Sequence, residues 1–149
     1  MDEWKKLICR GNRSYENGRL EDARLLYRAA LDQAERSLAR CGDRGGLCTY
    51  ADALAAVAAV VVTEHNLADL CLRCDQVEDA GAHLLAAHER VTRIMDDRTL
   101  PWTLRAAAMR NCGQARLAML SFASEHGGLH APSPIDSRIT HLPASPLLH

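Results

Sequence analysis

Cys71-Leu-Arg-Cys74 is the closest cysteine pair in the chain, and two thiols at that spacing are a usual beginning of a zinc or thiol-disulfide site. A structural zinc site needs four ligands, and no second Cys-x-x-Cys, nor a His-x-x-x-His within a helix, accompanies this pair. His65, His83 and His88 fall on helical stretches, while His130, His141 and His149 fall beyond them. His126 and His130, the i, i+4 pair, straddle Gly127-Gly128. Cys71 and Cys74 therefore read as small packing residues, with thiol or metal sensing as the minor alternative, and no metal ligand is assigned. No serine stands in a nucleophile elbow, and no glycine-rich loop joins a strand to a helix. No catalytic residue and no cofactor follow from the sequence, and the expectation is a non-enzyme.

The composition limits the elements that position these residues. Of 149 residues, 48% are hydrophobic, yet there are only one Phe, three Tyr and two Trp, so the core must be built of Ala, Leu and Val. Such a core suits closely packed helices better than a sheet. The length predicts one domain over residues 1–128. A formal charge of −1, with no basic tract, argues against nucleic acid as a partner. Met-Asp-Glu-Trp-Lys-Lys lacks the apolar core of a secretory signal, which predicts a cytoplasmic protein. In that setting Cys9, Cys41, Cys48, Cys71, Cys74 and Cys112 read as packing residues rather than a disulfide framework. The most apolar window, Ala53 to Val62, is shorter than the roughly 20 residues a spanning helix needs. It is expected to be a buried helix, and no membrane partner is assigned.

Five helices are predicted. The first runs from about Glu3 to Asn17 with Asp2 as N-cap, and the second from about Leu20 to Arg40. Cys41-Gly42-Asp43-Arg44-Gly45-Gly46 breaks the chain and is expected to be its most mobile internal connector. Thr49 caps a third helix reaching about Cys74, with Asp52 placed as in a capping box. The fourth spans about Gln76 to Asp96, and the fifth follows Pro101 and ends at Gly127-Gly128. It is expected to cap the array, burying Leu104, Ala108, Ala115, Met119 and Phe122. Residues 129–149, with four prolines, are expected to be extended or disordered, and their apolar pieces are a possible groove occupant. The third helix is apolar nearly all round from Ala53 to Val62, which predicts either a bare face used in a homodimer or cover by the second and fifth helices or the tail.

The stretch Gly11 to Leu31 has an ordered grammar: a glycine, Tyr15, a corner at Gly18, Glu21-Asp22-Ala23, Tyr27, then Ala30-Leu31. In this order it resembles a tetratricopeptide repeat, and a lone helical hairpin of that kind cannot bury its own apolar face. A shift of 57 residues finds a second copy, with Ala68 for Gly11, Leu72 for Tyr15, Val77 for Leu20, Glu78-Asp79-Ala80 for Glu21-Asp22-Ala23, Leu84 for Tyr27 and Ala87 for Ala30. Asp75 stands where the corner glycine would be. The family repeat is about 34 residues, so the surplus must lengthen helices and connector.

The resemblance implies a groove lined by the first helix of each pair and a protein or peptide partner. The matching positions are Lys5, Ile8, Asn12, Tyr15 and Glu16, then Val62, His65, Asn66, Asp69, Leu72 and Arg73. Asn12 and Asn66 match two asparagines with which some members capture a C-terminal carboxylate. The expected lysine one turn before Asn12 is Ile8, so the implied ligand is a peptide or helix held through amide hydrogen bonds and apolar contact. The alternative for the two asparagines is that they satisfy neighbouring backbone. An interaction adaptor is the function this implies, and a chaperone or regulator dedicated to one partner is the alternative.

Overall fold

A computed structural model describes residues 1–44 and 47–128 of the chain. The fold is all-α: α1 (Asp2–Glu16), α2 (Leu20–Asp43), α3 (Tyr50–Arg73), α4 (Val77–Asp96) and α5 (Trp102–His126), with no strand among the described residues. The expected extended segment 129–149 and the glycines 45 and 46 of the connector lie outside the described residues. The helices start and stop close to where periodicity and capping place them. Thr49 caps α3, its Oγ1 accepting from the Asp52 N–H at 3.1 Å. Asp2 is not the N-cap of α1; Met1 holds that position, and Asp2 and Glu3 instead set negative charge against the positive end of the helix.

α3 is the central element. It packs along α2, α4 and α5 and reaches α1 at few points, while α1 packs on α2 and α5 on α4. The main core joins Ala53, Ala56, Val57, Val60 and Val61 of α3 to Leu38 of α2, Val91 and Ile94 of α4, and Leu104 and Ala108 of α5. Every residue from Ala53 to Val62 is buried or half-buried within the chain. α2, α4 and α5 pack along this stretch and leave only Leu54, Ala55, Ala58 and Val62 partly open. By length and composition α3 as a whole is apolar enough to cross a membrane, since Leu67, Leu70 and Cys71 continue the run beyond Glu64 and His65; more than half of that stretch is buried by the chain's own helices.

The internal repeat has a shared backbone geometry at its corners. After α1, Gly18 takes φ +74°, its N–H donates to Tyr15 C=O and the Arg19 N–H to Ser14 C=O. After α3, Asp75 takes φ +58°, its N–H donates to Leu72 C=O and the Gln76 N–H to Cys71 C=O. Both are left-handed helix stops with the same paired bonds, set 57 residues apart. Only the second places a side chain in a conformation that L-residues disfavour. At the crossings that follow, Ala23, Ala30, Ala80 and Ala87 have no exposed surface, so the facing backbones approach to within the size of a methyl group.

Two outcomes test this frame. Asp75→Gly is expected to raise stability by about 0.5–1 kcal/mol in denaturant melts, by relieving the left-handed side chain. Ala23→Leu and Ala80→Leu are each expected to cost about 1–3 kcal/mol by forcing the helices apart. Neutral substitutions would place the crossings elsewhere.

Candidate functional site

α1 and α3 run side by side in the same direction, and polar side chains span the gap between them. Near the start of α1, the Trp4 indole N–H donates to Thr63 Oγ1 at 2.9 Å. Thr63 Oγ1 in turn donates to Ala59 C=O at 2.7 Å, so this buried hydroxyl both donates and accepts. At the other end Arg73 donates to Tyr15 C=O at 2.5 Å and lays its guanidinium over the Tyr15 ring, 4.7 Å from the centroid. These ties hold α1 beside α3 where little apolar packing joins them.

Between the ties lies a cleft of about 180 Å³ lined by Asn12, Tyr15, Glu16, Tyr27, Asn66 and Asp69. Helical spacing assembles it: Asn12, Tyr15 and Glu16 share one face of α1, and Asn66 and Asp69 share one face of α3. Tyr27 enters from α2. Its hydroxyl donates to Asn12 Oδ1 at 2.7 Å, and Asn66 Nδ2 approaches the same oxygen at 3.4 Å. This arrangement leaves the Asn12 amide N–H groups and the Asn66 carbonyl oxygen, a donor and an acceptor, for a group entering the cleft.

Burial and negative neighbours shape the electrostatics. Tyr27 is pushed up to about 12, first by burial and then by Tyr15, Asp69 and Glu16, so it remains a neutral donor at physiological pH. Burial also raises Asp69, against the opposing pull of His65. His65 is lowered by burial, against Asp69 and Glu64, and its Nε2 is buried with no hydrogen-bond partner among the described residues. With Arg73 engaged by Tyr15, the carboxylates of Glu16 and Asp69 set the sign of the cleft.

Five of the eleven expected groove residues, Asn12, Tyr15, Glu16, Asn66 and Asp69, thus meet in one cleft. The others do not join its wall. Ile8 is buried among Ala23, Tyr27, Ala30, Leu67 and Leu70, which corrects its placement as a partner contact: the residue belongs to the core. Leu72 packs against the cluster of Ala68, Cys71, Ala80, Leu84 and Phe122. Arg73 serves as a tie. Lys5 is exposed, and His65 and Val62 are half-buried on α3. Tyr27 lines the cleft although it is not among the expected groove positions; its hydroxyl, for which a buried phenol needs a partner, is the signal for it in the sequence.

Two other regions bear on chemistry. Cys71 is fully buried, its sulfur 3.9 Å from an Arg24 Nη whose other arm donates to Gln76 Oε1 at 2.8 Å. Burial pushes the Cys71 thiol up, against the Arg24 charge, so the reactive thiolate is disfavoured. Among the described residues no three of His, Cys, Asp and Glu are grouped to hold a metal ion. A larger cleft of about 460 Å³ lies where α2 and α4 end and α5 begins, with a floor of Leu38, Ile94, Leu100 and Leu104 and a rim that includes Arg90 and Asp97. Arg90 is paired there with Glu35 of α2. No motif announced this cleft, because its walls come from three separate helix ends.

The Tyr27 geometry has a pH signature. Unfolded, the phenol ionises near 10, and folded, at about 12. Its contribution is complete below about pH 10 and is lost as pH rises toward 12, because the unfolded chain then gives up the proton first. Ultraviolet titration should show one late tyrosine that Tyr27→Phe removes. That variant should also lose about 0.5–1.5 kcal/mol at neutral pH with the Asn12 bond.

No curated protein and no solved structure matches the chain. A family model described as "Protein of unknown function (DUF2753)" matches residues 2–141. Almost the whole chain is covered by that match, and the chain belongs to this family.

Proposed function

We propose that the protein is a tetratricopeptide-like interaction adaptor that holds an extended peptide or a helix of a partner protein along the α1–α3 cleft. The observation that carries this reading is the convergence of Asn12 and Asn66, with a free donor and a free acceptor, beside Tyr15, Glu16 and Asp69. A peptide group offers the complementary pair, and side-chain amides on a rigid helix can read it without regard to sequence. Two hairpins repeated at 57 residues with matching corners support the repeat assignment.

The sign of the cleft narrows the ligand. Glu16 and Asp69 repel a terminal carboxylate, Ile8 replaces the lysine that would attract one, and Arg73 is turned onto Tyr15. A segment with a neutral backbone and a basic side chain fits better than an acidic tail. Binding rather than catalysis is the role this implies, since the cleft places amides and carboxylates for recognition with no nucleophile beside them.

Affinity capture from the source cell, comparing the intact chain with one carrying Asn12→Ala and Asn66→Ala, tests the assignment. Each lost amide contact is worth about 1 kcal/mol, so the pair should reduce retention of a specific partner by about tenfold or more. Glu89→Ala, far from the cleft on exposed α4, should leave it unchanged. Equal capture by all three proteins would remove the cleft from partner recognition.

A further inference from the structure

α5 is apolar on two opposite faces. Leu104, Ala107, Ala108, Ala115 and Phe122 are buried against α3 and α4. On the opposite side stand Trp102 (73% exposed), Met109 (65%), Gly113, Leu117 (67%) and Leu120 (50%), in one stripe along the helix. Thr103 donates to Cys48 C=O and so holds the connector bearing exposed Leu47 and Tyr50 against the Trp102 end. A terminal helix of a repeat array needs a polar outer face. The expectation that α5 closes the array is therefore only half met: its inner face packs as a cap does, and its outer face is bare.

Gly113 marks the middle of that bare stripe. A mid-helix glycine lowers helix stability relative to alanine, and at Gly11 and Gly81 the close approach of a ring accounts for it. A methyl on Gly11 would stand 2.6 Å from the Tyr27 ring, and one on Gly81 would stand 3.0 Å from Phe122. A methyl on Gly113 meets nothing within 4 Å. The space over Gly113 is open.

Charge selects the occupant. From Trp102 to Ser124 α5 has no acidic residue, and exposed Arg110 and Arg116 lie on the two flanks of the stripe. Arg105 is turned inward to Met95 C=O. Pairing this face with itself across a two-fold would set arginine against arginine with no carboxylate between them. A lipid surface would satisfy the charges but has no use for a central notch. We infer that the outer face of α5 docks an amphipathic helix of another protein, with an aromatic or other large apolar side chain over Gly113, between Met109 and Leu117, and acidic residues beside Arg110 and Arg116. The helix takes the place of the second member that α5, unlike α1 and α3, lacks among the described residues. This surface is separate from the α1–α3 cleft and stands or falls independently of it.

Trp102 supplies the readout on the full-length chain. The probe is a synthetic helical peptide of about 20 residues with a leucine stripe, a central phenylalanine and flanking glutamates, beside a version with lysines in place of the glutamates. The acidic peptide should shift Trp102 emission to the blue with saturation at micromolar concentration, and Trp102→Phe should abolish the change. The lysine version should bind at least roughly tenfold more weakly, as should the acidic peptide to Gly113→Leu or to Arg110→Glu with Arg116→Glu. Gly113→Ala should raise the melting temperature of the free protein, which shows that the glycine is not required by the fold. Equal binding of the two peptides, undiminished binding by Gly113→Leu, or no binding would overturn the inference. So would an equal blue shift with anionic phosphatidylserine vesicles, self-association in sedimentation that Gly113→Leu abolishes, or a Trp102 already shielded from quenchers in the free chain.

Discussion

Close approach of helix backbones at small residues is the constraint from which the rest of this structure follows. Ala23, Ala30, Ala80 and Ala87 are wholly buried at the hairpin crossings, and Gly11 and Gly81 accept the Tyr27 and Phe122 rings where a methyl would collide. With so few aromatic side chains available, the chain gains burial by bringing backbones together rather than by filling wide gaps. α3 then has room for α2, α4 and α5 around it, and its aliphatic run needs no cover from outside. The length of α3, which by composition could suit a membrane, is used instead to give three neighbours a common face.

α1 is held differently, and the cleft results from that difference. It shares a small apolar cluster with α2 and the end of α3, but its approach to α3 is spanned by Trp4 to Thr63, Asn12 to Asn66 and Arg73 to Tyr15. Polar ties of this length keep helices apart where methyl contacts would draw them together. Between them remains a space whose walls are carboxylates and amides, and the rigid helices on either side fix the amides in register. The phenol of Tyr27 reaches into it from the core and ties the cleft to the crossing at Gly11.

Buried polar groups elsewhere on α3 and α4 are mostly paired. Glu64 lies beside His83 Nδ1 at 2.6 Å, which links α3 to α4. His65 Nε2 and His88 Nδ1 are buried with no partner among the described residues. An unpaired buried nitrogen lowers stability, and for His65 that cost stands one turn from Asp69 of the cleft. The outer face of α5 departs from economy in a second way, since it places four large apolar side chains in water opposite a well-packed inner face.

Periodicity, capping and small-residue spacing are local properties, and they determined five helices, their ends, the corner at Gly18 and its copy at Asp75, and the burial of Ala23, Ala30, Ala80 and Ala87. The faces that carry Asn12, Tyr15, Glu16, Asn66 and Asp69 were legible for the same reason, because residues three and four apart must share a helix face. Other facts depend on how helices cross, and no window of sequence contains them. Ile8 lies on the same stripe as the groove residues, yet the angle between α1 and α2 turns it into the core. Arg73 reads as a free groove cation until Tyr15 is beside it, and Tyr27 as packing until its hydroxyl meets Asn12. Whether the segment from Ala53 to Val62 is covered depends on the three helices packed along it, and the second apolar stripe of α5 stays exposed because no described helix packs on it. Tertiary structure alone decided these, because burial is set by neighbours distant in the chain, whereas helical periodicity states only that an apolar face exists.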